Sequence, residues 1–173
     1  ISFMNQSKTE REIIASARKM ADKNGFRDIK DVNSLKPGDK VYWVNRDKSM
    51  YLAVIGQNNV EDGLRIIGSH GDSPRLDLKP NPLYEDDSFA YFKTQYYGGI
   101  KKYQWTAIPL SLHGRICKND GTFVDVRLGE EAGEPKFCIT DILPHLGSEQ
   151  MSRKANELIK GEELNVVIGS RPF

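Results

Sequence analysis

Apolar positions in the N-terminal third recur first at helical spacing and then at strand spacing. Ile13, Ile14, Ala17, Met20 and Ala21 repeat every three or four residues, which predicts a helix with one apolar stripe facing a core. Ser7-Lys8-Thr9-Glu10 has the Ser-x-x-Glu form of a capping box at its start, and Gly25 stands where such a helix stops. Residues 26–38 read as a loop that includes the turn Lys36-Pro37-Gly38-Asp39. Val, Tyr, Trp and Ile then crowd residues 40–45 and 50–55 on either side of Arg46-Asp47-Lys48, the pattern of a hairpin. Leu64-Arg65-Ile66-Ile67-Gly68 predicts a short buried strand ending in small residues. A helix followed by strands is an α/β opening.

The pattern changes after Leu78. Lys79-Pro80-Asn81-Pro82 resists regular structure, because proline lacks an N–H and fixes φ, and it predicts a change of direction or a domain boundary. Strand patterns follow at residues 90–97, 105–117, 123–128 and 136–139, with Asn119-Asp120-Gly121 as a hairpin turn. A helix over 149–159 and a strand over 164–169 complete the pattern. The expected division is thus residues 1–78, α/β, and residues 79–173, β-rich.

Composition narrows the function classes. Of 173 residues, 38% are hydrophobic and 28% charged, which suits a globular core rather than disorder. Lys plus Arg is 25 against Asp plus Glu at 24, so no basic footprint for nucleic acid exists, and Lys101-Lys102 reads as a solvated turn or strand edge. No apolar run approaches the roughly 20 residues that span a bilayer, and no signal peptide is visible. Cys117 and Cys138 lie in apolar strand-like runs and are expected as buried free thiols, consistent with a reducing cytoplasm. The opening at Ile1 and the ending just after a strand pattern suggest an incomplete chain.

The candidate chemistry centres on His70-Gly71-Asp72 at the end of the 64–68 run. A neutral imidazole is a good zinc ligand, and Asp72 can accept the other ring N–H, fixing the tautomer. Alone, His-x-Asp reads more readily as a loop histidine bonded to a nearby carboxylate. The wider string changes that. Ile67-Gly68-Ser69-His70-Gly71-Asp72-Ser73-Pro74-Arg75-Leu76 resembles the zinc-ligand segment of the M18 aminopeptidases, the aspartyl aminopeptidase family. Lys79-Pro80-Asn81-Pro82 with Leu83-Tyr84-Glu85, Tyr96-Tyr97-Gly98-Gly99-Ile100 leading to Trp105, and Ile142-Leu143-Pro144-His145-Leu146 match in order. The resemblance runs over nearly the whole chain, and bacterial members are the most similar.

The resemblance implies a zinc-dependent aminopeptidase with two metal ions, acting on peptides with a free, acidic N-terminal residue. It assigns His70 as a metal ligand and Asp72 as the catalytic aspartate that orients it. Gly71 departs from the larger residue often found there. The family has a histidine near the position of His145 that approaches metal or substrate, in some members from an adjoining subunit. Some relatives carry another histidine where this chain has Glu149, so His145 is open to two readings, a site ligand or a cap on the following helix. The implied fold is the start of a phosphorylase/hydrolase-like catalytic domain over 1–78, then an inserted β-rich dimerisation domain over 79–173, in dimer-based assemblies up to a dodecamer. The remaining ligands and the general base would fall after Phe173, so the chain alone is expected to bind zinc poorly and lack peptidase activity.

Other residues fit blander roles. His113 is expected as a surface or packed strand histidine, and Trp105, Tyr96 and Tyr97 as core or interface aromatics. A non-enzymatic β-rich assembly module would account for the missing ligands but leaves the His70–Leu76 string unexplained. A deacetylase sharing the His-x-Asp start would not carry the three later motifs.

Overall fold

The computed structural model describes residues 1–171. It is a mixed α/β chain with small sheets, in two compact units, Ile1–Ser73 and Pro74–Phe173. The division falls at Ser73–Pro74, ahead of the Lys79-Pro80 segment where the composition shift was expected.

In the first unit, α1 (Ser2–Asn5) precedes α2 (Glu10–Lys23). The capping box is Thr9–Glu12, not Ser7–Glu10: Glu12 N–H donates to Thr9 Oγ1 at 3.3 Å, and Thr9 N–H to the Glu12 carboxylate at 3.1 Å. Ser7 is instead buried, with its hydroxyl 2.9 Å from that of Ser16. Gly25, at φ +79°, ends the helix as expected. Its N–H reaches Asp22 O and that of Phe26 reaches Ala21 O, the paired bonds of a left-handed C-cap. Of the predicted stripe only Ala21 is fully buried, and Met20 is exposed.

Strands β1 (Arg27–Asp28), β2 (Lys40–Asn45) and β3 (Ser49–Val54) form one sheet, β1 parallel and β3 antiparallel to β2. Arg46 and Asp47 both take positive φ, the tight turn that matches strand twist in a hairpin. Val41 and Tyr42 are buried, and Tyr42 accepts a 3.0 Å hydrogen bond from Arg18 of α2, tying helix to sheet.

The predicted strand at 64–68 is absent. Residues 63–74 carry no helix or strand, and Leu64, Ile66 and Ile67 are exposed, Ile67 completely. An apolar run becomes a strand only when a neighbour supplies its ladder of hydrogen bonds, and no described strand pairs with this one.

In the second unit, β4 (Arg75–Asp86) pairs antiparallel with β5 (Phe89–Tyr97), which pairs with β8 (Val166–Gly169) on its other side. β4 therefore runs straight through Lys79-Pro80-Asn81-Pro82, where a break was expected. The prolines are accommodated because β4 is an edge strand and its register shifts between Leu78 and Leu83, so no ladder bond needs their missing N–H. β6 (Leu112–Cys117) and β7 (Phe123–Leu128) form a separate ribbon closed at Asp120-Gly121, with Gly121 at φ +83°. The longer strand expected from 105 to 117 shortens to β6, and the run at 136–139 makes only isolated bridges, through Phe137 and Cys138.

The expected helix over 149–159 is the short α3 (Ser148–Ser152). The Ser152 hydroxyl donates to Glu149 O at 2.7 Å, and Arg153 turns to extended backbone. The core of this unit is Ile139, Ile159, Leu164 and Val166, with Leu76, Phe92, Trp105 and Phe137 packed against it. Trp105 is thus a core aromatic, whereas Tyr96 and Tyr97 are half exposed. Tyr97 carries the Arg75 guanidinium 4.2 Å from its ring centre. Both cysteines are free, but Cys117 is exposed at the end of β6 and Cys138 is half-buried, so neither is the buried thiol expected.

Candidate metal centre

The chain runs through His70-Gly71-Asp72-Ser73 without helix, strand or turn before entering β4 at Arg75. Gly71 lies beside α2: a Cβ added there would sit 3.5 Å from Ile13 Cγ2, an ordinary contact. Gly71 does not take a positive φ, so its backbone conformation does not require glycine.

Across that glycine, His70 Nδ1 lies 2.5 Å from Asp72 Oδ1. An ionised carboxylate can only accept, so the neutral imidazole carries its proton on Nδ1 and leaves the Nε2 lone pair outward. The side chains differ sharply in exposure, 85% for His70 and 26% for Asp72. A partly shielded carboxylate holds one edge of an imidazole whose other edge is open. Among the described residues no group of three or more His, Cys, Asp or Glu side chains gathers to hold an ion. The residues present therefore fit one ligand of a zinc site together with its orienting carboxylate, and not a full donor set.

His145 belongs to the second unit, on a loop between the bridge residues and α3. It is exposed. The cap of α3 is Gly147, without any side-chain cap bond, so His145 does not cap that helix. Glu149 is exposed and ion-paired with Arg153 at 3.1 Å.

His113 is a packed strand histidine on β6, its side chain only 6% exposed. The residue pattern gave it no carboxylate partner, but its Nε2 lies 3.1 Å from both Glu130 Oε1 and Ser111 Oγ. Glu130 follows β7, and the β6–β7 register sets His113 opposite Arg127, so the hairpin turn was the one signal that could have located it.

The model for the family described as Aminopeptidase I zinc metalloprotease (M18) matches residues 3–171. The chain belongs to the M18 peptidase family. An M18 relative from Clostridium acetobutylicum, named a probable M18 family aminopeptidase 1, is 51% identical over 99% of this chain. One of the same name from Thermotoga maritima is 43% identical over the full chain. The crystal structure of an M18 aminopeptidase from Thermotoga maritima superposes with a TM-score of 0.90 at 43% identity over 99% of this chain. The chain spans 38% of the length of each of these M18 relatives.

Proposed function

We propose that the complete protein is a zinc-dependent aminopeptidase that removes N-terminal Asp or Glu residues from peptides. The observation that carries this reading is the His70–Asp72 pair, a carboxylate-oriented imidazole with Nε2 open to solvent, in a chain of the M18 family. His70 would hold zinc, Asp72 would fix its tautomer and raise its basicity, and His145 would approach metal or substrate. When bound, two zinc ions supply Lewis-acid polarisation of a carbonyl and a water acidified toward neutral pH.

The same reading divides the complete protein into a phosphorylase/hydrolase-like catalytic domain, begun by residues 1–78, and a β-rich dimerisation domain over 79–173. The exposed apolar run Leu64, Ile66 and Ile67 supports it, since such a run is a strand awaiting neighbours from the rest of the catalytic domain. Dimers, built up to a dodecamer, would work in the cytoplasm. Among the described residues no helix is long and apolar enough to cross a membrane.

The test compares aspartyl- and leucyl-β-naphthylamide as substrates of the complete protein with zinc added. Faster turnover of the aspartyl substrate is expected, and no turnover of either would overturn the proposal. Because one ligand and its carboxylate do not hold two metals, the 173-residue chain alone is expected to be inactive on both.

A further inference from the structure

We infer that Asp141 is a positioning residue for His145, acting by clasping the base of the loop that carries it; this rests on the role proposed for His145 above. The loop leaves the core immediately after Ile139, which is 1% exposed and whose carbonyl accepts from Ala107 N–H at 2.8 Å. It re-enters through α3, whose following residue Arg153 is ion-paired with Glu149 at 3.1 Å and Glu163 at 3.4 Å. Between these roots one carboxylate joins the two ends. Asp141 Oδ1 accepts from the Ile142 N–H at 2.8 Å and from the Gln150 side-chain amide at 3.0 Å, while Thr106 Oγ1 lies 3.4 Å from Oδ2.

Inside the clasp the backbone is folded on itself. Leu146 N–H reaches Leu143 O at 2.9 Å, Gly147 N–H reaches Pro144 O at 3.2 Å, and Met151 N–H reaches Gly147 O at 2.8 Å. Pro144 fixes φ immediately before His145. Gly147 is buried, and a Cβ there would come within 3.3 Å of both Ile142 Cγ2 and Leu143 O, so a side chain at this position would push its neighbours in the turn. The outcome is an exposed imidazole, with no side-chain hydrogen bond to another described residue, on a loop whose every turn is bonded. Such an arrangement fixes where the imidazole stands while leaving it free to engage something else. Loss of the clasp restores loop freedom, and misplacement by about an ångström costs up to about a hundredfold in rate.

The test is a double-mutant cycle on kcat/KM in the complete protein. Asp141→Ala is expected to lower kcat/KM about tenfold. Asp141→Asn keeps an oxygen acceptor for Ile142 and Gln150 and should stay near wild type. In a His145→Ala background, Asp141→Ala should add no further loss, because the clasp acts only through His145. Gln150→Ala opens the clasp from its other end and should show the same non-additivity, which covers the case that Asp141→Ala folds poorly. Equal losses from Asp141→Ala in both backgrounds, or no loss in either, would overturn the inference. An unchanged kcat/KM for His145→Ala alone would remove the role of His145 itself, and the inference with it.

Discussion

Asp72 holds His70 at 2.5 Å across a single glycine, the carboxylate half-buried and the imidazole open to solvent. The pair fixes a tautomer rather than a fold, because both residues lie outside every helix and strand. Its loss should therefore be felt in metal affinity before stability. Asp72→Asn in the complete protein is expected to weaken zinc binding by about 10- to 100-fold while leaving the melting temperature within a few degrees. Competition with a chromogenic chelator measures the first and a thermal melt the second. Unaltered zinc affinity would show that the carboxylate does not tune the ligand.

Two glycines should respond in opposite directions to alanine. Gly129 takes φ +95°, and a Cβ there would meet Ser111 Cα at 3.1 Å and Leu110 O at 3.2 Å. Gly129→Ala is expected to destabilise the protein by about 1–3 kcal/mol. Gly71 has no positive φ and only an ordinary contact, so Gly71→Ala should be neutral or stabilising by up to about 1 kcal/mol. Chemical denaturation of both variants checks the contrast, and a Gly129→Ala protein as stable as wild type would contradict it.

The loop after β7 should open in acid. Glu134 Oε2 accepts from the N–H groups of Gly129, Glu130 and Glu131 at 2.8 to 3.0 Å. These bonds, those from Glu131 and Gly129 foremost, hold its carboxyl below the usual glutamate range, with Lys136 assisting. A carboxyl depressed in the folded state contributes fully above its unfolded value, and the contribution is lost as pH falls through the folded value. The three amides should thus exchange faster as pH drops below the ordinary carboxylate range, after correction for intrinsic rates. Pulsed hydrogen exchange read by NMR follows them, and protection that does not change with pH would contradict the account. Since all three bonds close one short loop, the effect is local opening and not global unfolding.

The elements legible in the sequence are those whose cause is local. Gly121 announces its hairpin and Gly25 ends α2 because glycine takes positive φ without strain, and the turn at Arg46-Asp47 is announced by the strand patterns on either side of it. The failures are elements decided at a distance. Pro80 and Pro82 read as breakers, yet an edge position and a register shift let β4 continue through them. The 64–68 run has strand composition but no paired neighbour among the described residues. α3 stops early where the Ser152 hydroxyl bonds back to the Glu149 carbonyl and Arg153 turns to extended backbone, its guanidinium reaching Glu163 from beyond the helix. At the site, His70 and Asp72 were legible because they are two residues apart. Glu130 beside His113 and Gln150 beside Asp141 were not, since hairpin register and loop closure bring those together.

The most direct measurement of the central claim is the zinc content and aspartyl-peptide hydrolysis of the complete protein beside its His70→Ala variant. The account predicts two zinc ions and turnover in the wild type, with one metal position and the activity lost in the variant. A variant that keeps both its zinc and its rate would contradict the assignment of His70 as a ligand.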